Sequence, residues 1–339
     1  MRYSLTISFA TYNSGSYLNK FYESIFKQNL KNFEVVVVDD GSKDDSVDIS
    51  LSWAKKYKNI KLIRQKNSGL SVARNRGILA ATGKWLVMPD PDDLIYPGLY
   101  KHLLNIATLN NVDVAVINGE HLFENKKPKP IFNKKIPENK IMSGEDFLKF
   151  GLKSGSFLHT TWLNIYNLDF IKQKKIKFIP NLLHQDILWT TEVLFHAKRL
   201  IYSNQILYGY VHRGGSATRQ KNSDGKNIKS IRNYCRILLL LNAFNVKNKG
   251  DLKNYNTFKF QISNEFTNIK RSLSRIRDVN KLIAVLDYLN EKKIFQLTIK
   301  NSTASLTVFK NLLVIFKYLA LLKFKSLLKK YESCIYQRK

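Results

Sequence analysis

The run Phe33-Glu34-Val35-Val36-Val37-Val38 constrains this chain more than any other stretch. It is almost wholly apolar, and four successive residues are β-branched valine. Such a segment has no polar face to offer water, so it reads as a strand buried on both sides. Strands of that kind belong to parallel sheets covered by helices. Its neighbours fit. Leu5 to Ala10 and Ile60 to Arg64 are β-type runs, and Trp85 to Met88 is a short apolar run bounded by Gly83 and Pro89. Between them, Ser16 to Lys27 carries Leu18, Phe21, Tyr22, Ile25 and Phe26 at helical spacing. Further helices are expected over Ser46 to Lys58 and through Arg74, Asn75 and Ala80. Strands that alternate with helices in this way make an α/β domain of βαβ units.

Ligands of open α/β sheets bind at the carboxyl ends of the strands. Three of those ends carry polar clusters: Thr11-Tyr12-Asn13, Asp39-Asp40-Gly41-Ser42 and Asp90-Pro91-Asp92-Asp93. Three neighbouring acids repel one another unless positive charge lies among them. Mg²⁺ takes one or two carboxylates together with substrate phosphates. The Asp-x-Asp at a strand end therefore suggests a metal that holds a diphosphate. The alternative is an acidic turn that opens the next helix, with Asp92 and Asp93 near its N-terminus. Asp40 is suited to accept from a base N–H or from ribose hydroxyls, and Tyr12 to pack on a base. Gly69, in Asn67-Ser68-Gly69-Leu70-Ser71, lets a backbone come close, and Arg74 suits a phosphate. No Gly-x-Gly-x-x-Gly follows the first strand, and no Gly-x-x-x-x-Gly-Lys-Ser/Thr occurs, which argues against a dinucleotide fold and a P-loop.

Four segments in order carry a resemblance. Ser8-Phe9-Ala10-Thr11-Tyr12-Asn13, Val38-Asp39-Asp40-Gly41-Ser42, Asn67 to Asn75 and Asp90-Pro91-Asp92-Asp93 resemble the motifs of family 2 glycosyltransferases of the GT-A fold. The likeness runs to bacterial enzymes that build capsule, O-antigen or lipooligosaccharide chains, lipooligosaccharide galactosyltransferases included. It implies a GT-A type nucleotide-sugar-binding mixed sheet flanked by helices over residues 1–220. The nucleotide-sugar half would be about 1–118 and the acceptor half about 119–220. It further implies an inverting transfer from a nucleotide sugar, usually a UDP-sugar, assisted by Mn²⁺ or Mg²⁺. By that likeness Thr11, Tyr12 and Asp40 hold the uridine, Asn13 and Gly69 also serve the donor, Arg74 helps with the phosphates, and Asp90 faces ribose and metal. Asp92 ligates the metal, with Asp93 as a further candidate.

Farther along, Glu124 to Pro130 is a polar surface loop, and Ser143-Gly144-Glu145-Asp146 opens a helix by capping chemistry. Trp162 reads as core. Asn164 stands where the resembled family usually has lysine. His184-Gln185-Asp186-Ile187 fills the slot in which the family keeps its general base. The residue-level alternative is that Asp186 is an N-cap of the helix Ile187 to His196. The likeness ends at Tyr208 to Ser216, where Arg213 or His212 is implied near the diphosphate or metal. Thr218 to Asn227 reads as a polar loop or linker.

Residues 226–339 form a basic, mainly α-helical C-terminal region, with helices expected over Ile231 to Phe244, Tyr255 to Arg277, Val279 to Leu289 and Ala304 to Tyr331. The chain has 56 Lys and Arg against 26 Asp and Glu. That excess implies an anionic partner: phosphorylated substrates, nucleic acid or an anionic membrane. The basic residues follow no nucleic-acid-binding motif, which weighs against nucleic acid. A sugar-1-phosphate nucleotidyltransferase would want a Gly-rich phosphate loop near the first strand, and none is present. Cys235 and Cys334 read as free thiols of a reducing compartment. Met1 runs straight into a strand, and no stretch reaches the ~18–20 apolar residues of a membrane span. The expectation is a cytoplasmic enzyme, peripheral on the inner face of the membrane, with a UDP-sugar donor and a glycan or lipid-linked saccharide acceptor.

Overall fold

The computed structural model describes residues 2–132, 136–155, 157–212, 223–302 and 310–324. The chain divides into two units, Met1–Ser216 and Ala217–Lys339.

The first unit opens with β1 (Leu5–Thr11), α1 (Gly15–Phe26), β2 (Phe33–Asp39), α2 (Ser46–Lys56), β3 (Ile60–Arg64), α3 (Leu70–Ala80) and β4 (Trp85–Val87). It continues through β5 (Leu94–Ile95), α4 (Leu99–Leu109), β6 (Val114–Phe123), β7 (Lys126–Pro130), β8 (Ile141–Met142) and α5 (Gly144–Ser154). It closes with β9 (Asn164–Asn167), α6 (Leu168–Gln173), α7 (Asp186–His196) and β10 (Leu200–His212). The strands form one sheet ordered β3-β2-β1-β4-β9-β6-β10-β5, with β7 on β6 and β8 on β10. Strands β3, β2, β1 and β4 run parallel, whereas β9 lies antiparallel to both β4 and β6, so the sheet is mixed.

Every residue of β2 is buried, and Val35 to Val38 expose nothing. Each such valine contributes about 1.5–3 kcal/mol over an exposed one. Val36 and Val38 pack with Ala10, Ile63 and the α3 residues Ala73 and Ala80. Helix α3 approaches the sheet closely because Gly77 lies against Ser8; a Cβ at Gly77 would come 2.2 Å from the Ser8 hydroxyl. On α1, Phe21 meets Phe9 edge-on with ring centres 4.9 Å apart. These helices hold the parallel strands so that the ends of β1, β2 and β4 open on one edge.

The second unit is helical: α8 (Asp224–Lys247), α9 (Tyr255–Leu273), α10 (Val279–Glu291), α11 (Ile294–Lys300) and a helix over 310–324. Its core includes Ile237, Leu238, Leu241, Phe258, Ile262, Phe266 and Phe295. Three sequence expectations change here. The described end of the supposed linker is already helical from Asp224, because the Ser223 hydroxyl accepts from the Lys226 N–H and caps α8. Helix α9 stops at Leu273 rather than Arg277. The Arg277 and Asp278 N–H groups donate to the Asp224 carboxylate instead of to a helical carbonyl. Lys293, in the left-handed region at φ 54°, separates α10 from α11, a helix that the pattern did not announce. Of the long last helix expected, 310–324 lies within the described residues. Among the described residues no helix is long and apolar enough to cross a membrane.

Candidate active site

Strand β1 lies between β2 and β4, so three polar strand ends meet side by side. Thr11 ends β1 opposite Asp39, and its carbonyl accepts from the Asp40 N–H at 2.9 Å. The Thr11 hydroxyl is buried there with no partner among the described residues. Tyr12, next in sequence, is exposed. Asn13, left-handed at φ 50°, stitches two loops: its Oδ1 accepts from the Lys43 N–H at 2.8 Å, and its N–H donates to the Ser42 hydroxyl at 3.0 Å.

Asp40 is buried and shapes the next loop. Its carboxylate accepts from the Ser68 N–H, the Gly69 N–H and the Gln65 amide, each at 2.8 Å. Gly69 has φ 89° and ψ 156°, a conformation that side chains strongly disfavour, and from it the chain turns into α3. The loop also passes over Gly41, where a Cβ would stand 2.9 Å from the Asn67 nitrogen. Asp40 therefore acts on the edge of the site through the Gln65–Gly69 backbone as well as by its position.

One face of α3 then holds a distant segment. The Ser71 hydroxyl donates to the Gln185 side-chain oxygen. Asn75 donates to the Phe178 carbonyl and accepts from the Phe178 N–H, both at 2.8 Å. Between them, Arg74 reaches Asp186 with Nη1 at 2.5 Å and Asp90 with Nη2 at 2.8 Å. Its guanidinium lies over the Phe178 ring, 5.4 Å from the centre, and Phe178 stacks on Trp189 at 4.8 Å. Arg74 is 4% exposed, against 30% for Asp90 and 26% for Asp186. Arg74, expected to meet a phosphate, is here paired with two acids: a buried guanidinium needs partners, and the two carboxylates supply them.

Asp186 is the first residue of α7, and the cap position falls on Gln185, with no side-chain capping bond. The carboxylate is thus turned to Arg74 rather than to the helix N–H groups, which sets aside the N-cap reading. Burial pushes its affinity for protons above the ordinary carboxylate range; Arg74 opposes that and Asp90 adds to it. A partly exposed carboxylate with a raised pKa, paired with Arg74 beside Asp90, is suited to accept a proton.

The acidic cluster separates into two kinds of residue. Asp93 is buried, accepting from the Val211 N–H at 3.0 Å and from the Tyr208 hydroxyl at 2.9 Å. Tyr208 in turn accepts from the Asp90 N–H at 3.2 Å. Asp93 pins β10 to the strand end. Burial, Asp90 and Asp92 together raise its pKa well above the usual value. Both oxygens of this further candidate for the metal are engaged inside. Asp90 and Asp92 remain partly exposed. Among the described residues no three His, Cys, Asp or Glu side chains converge as a metal cage. Two carboxylates beside a phosphate-bearing substrate fit a hard cation that shares its ligands with that substrate.

His212 shares a hydrogen bond with His121 at 2.8 Å and stacks on Phe123 at 4.2 Å. No motif had drawn attention to His121; only its place on β6 beside β10 brings it there. Arg213 lies outside the described residues. Trp162 is buried and stacks on Tyr208 and Tyr210, at 4.6 and 5.2 Å. Asn164 donates to the Thr160 carbonyl and the Tyr166 hydroxyl, both at 2.7 Å, so it braces the interior.

Residues 6–162 match the model of the family described as glycosyl transferase family 2. An uncharacterized glycosyltransferase, YibD, of Escherichia coli K12 is 34% identical over 277 residues, covering 81% of this chain and 80% of that protein. A cholesterol galactosyltransferase of Borreliella burgdorferi is 27% identical over 310 residues, covering 87% and 86%. Among solved structures, residues 1–349 of S. aureus TarS superpose with a TM-score of 0.66 at 21% identity, covering 87% of this chain and 81% of that one. The same protein in complex with UDP-GlcNAc gives a TM-score of 0.59 at 20% identity, covering 88% and 90%.

Proposed function

The chain belongs to glycosyl transferase family 2, and from that premise we propose that it moves a sugar, with inversion, from a UDP-sugar to a hydroxyl of a growing cell-surface glycan. Capsule, O-antigen and lipooligosaccharide chains are the acceptor class. The observation that carries the reading is the buried Arg74, which joins Asp90 at the end of β4 to Asp186 at the start of α7.

The nucleoside takes the edge formed by Thr11, Tyr12, Asn13 and the Asp40-bound Gln65–Gly69 loop. The unpartnered Thr11 hydroxyl and the exposed Tyr12 ring are the groups suited to receive it. Asp90 faces the ribose. Asp92, with Asp90, would hold Mn²⁺ or Mg²⁺, which when bound offsets charge on the leaving diphosphate. Arg213 and His212 stay candidates for the diphosphate side. Asp186 takes the proton of the acceptor hydroxyl as that oxygen bonds to the anomeric carbon. The bond from that carbon to the diphosphate breaks on the opposite face, and UDP leaves with its electron pair. Arg74 balances the charge of Asp186 and Asp90 and holds both in place, a positioning role. The enzyme works at the cytoplasmic face of the membrane, where such acceptors are assembled.

A panel of UDP-, GDP- and dTDP-sugars with Mn²⁺, read by thermal shift and by nucleotide release, tests this. The cognate donor at ~100 times its dissociation constant stabilises by about 2.7 kcal/mol. If no nucleotide sugar stabilises the protein or is turned over, the reading is wrong.

A further inference from the structure

The helix over 310–324 has two apolar faces. One is seated in the second unit: Asn311 and Ile315 are fully buried, and the Asn311 amide donates to the Ser263 carbonyl of α9 at 2.7 Å. On the opposite face Leu313, Phe316, Ala320 and Phe324 recur at helical spacing, with Leu321 beside them. That face is turned outward, with Leu313 55%, Phe316 57%, Leu321 46% and Phe324 61% exposed. A helix packed on one side ordinarily shows polar residues on the other. Here the outer polar residues are Lys310, Lys317 and Lys323, all exposed, and 310–324 contains no acid.

The surroundings carry the same sign. Residues 217–339 hold 26 Lys and Arg against 7 Asp and Glu. Lys270 on α9 has its pKa lowered by burial and by the nearby charges of Lys310 and Arg271, so the cations there crowd one another. At ~1.5 Å per residue the described span 310–324 covers about 22 Å, less than the ~30 Å hydrocarbon core.

We propose that the outer face of 310–324 lies in the headgroup layer of an anionic membrane, with Leu313, Phe316, Leu321 and Phe324 dipping among the acyl chains and the lysines against lipid phosphates. Bulky apolar side chains framed by lysine, with no neutralising acid, match a surface that is anionic above and apolar below. A second copy of this chain is the weaker occupant, since two such faces would bring like charges together. The proposal stands apart from the sugar-transfer reading, because it concerns only the second unit.

The test is sedimentation of the full chain with vesicles of phosphatidylcholine alone and with one-third phosphatidylglycerol. Two variants accompany it, Phe316→Ser/Phe324→Ser and Lys310→Gln/Lys317→Gln/Lys323→Gln. All positions are exposed, so folding should persist; circular dichroism and light scattering check folding and oligomeric state. Wild type should partition into the anionic vesicles, and more weakly as salt rises. The lysine variant should lose about 100-fold, at roughly fivefold per lysine. The phenylalanine variant should lose about tenfold or more at every salt concentration. Folded variants that bind like wild type would overturn the proposal. So would an oligomer that the phenylalanine variant dissolves while vesicle binding is unchanged.

Discussion

Asn75 and Phe178 exchange a reciprocal pair of hydrogen bonds, each 2.8 Å, across 103 residues of sequence. The side chain of one helix residue thereby satisfies both backbone groups of the other residue and fixes the path of the segment that ends in Asp186. The Asn75→Ala protein leaves the Phe178 N–H and carbonyl without those partners, at a cost of about 1–3 kcal/mol. Denaturant unfolding should show that loss, and turnover should fall more than UDP affinity, since the displaced segment carries Asp186. Equal stability of variant and wild type would mean that α3 does not hold this segment.

Asp40 accepts three hydrogen bonds from the Gln65–Gly69 loop. Substitution by alanine frees two backbone N–H groups whose direction defines the nucleoside edge. UDP affinity in the Asp40→Ala protein should drop at least about tenfold, equivalent to ~1.4 kcal/mol. Isothermal titration reads it, and an unchanged affinity would remove the loop from the donor site.

Asp93 makes stability depend on pH in a stated direction. Its folded-state pKa is raised by burial and by Asp90 and Asp92. The folded protein therefore keeps the Asp93 proton longer than the unfolded chain does. The resulting stability is fully present below the ordinary carboxylate value of ~3.9 and is lost as pH rises through the raised pKa. The neutral Asp93→Asn side chain should flatten that part of the profile. Melting temperatures recorded from mildly acid to neutral pH test it; parallel curves for the two proteins would be the contrary result.

Asp92 is the carboxylate proposed for the metal. Wild type should bind UDP more tightly in Mn²⁺ than in EDTA, and Asp92→Ala should close most of that gap with little change in melting temperature. Binding that is insensitive to chelator in wild type would dismiss the metal role outright.

Strands β1 to β4 and the three polar strand ends were legible because burial on both faces writes itself as an unbroken apolar run, as in Val35 to Val38, whereas β7, exposed along its whole length and rich in lysine and proline, had read as a surface loop. The partners of Arg74 were not: its two carboxylates lie 16 and 112 residues away, and an arginine that meets phosphate looks the same in sequence as one that meets acids. Asp90, Asp92 and Asp93 likewise read as equals. Tyr208 and Val211, brought in by β10, make Asp93 an interior residue. The cap expected at Asp186 misses by one residue's register: α7 begins at Asp186 itself, and its carboxylate meets Arg74. The early start of α8 rests on a single serine, Ser223, inside a stretch whose composition reads as loop.

The central claim is that Asp186 accepts the acceptor's proton, and steady-state turnover of Asp186→Asn against wild type tests it most directly. Asparagine keeps the shape and an oxygen toward Arg74 but has no site for a proton at neutral pH. Arg74 retains Asp90 as a partner, so the fold and UDP affinity should survive. With the cognate donor and acceptor, turnover should fall by about 10²–10⁴. An Asp186→Asn enzyme that keeps most of its turnover would contradict the account and leave Asp186 as a partner of Arg74 alone.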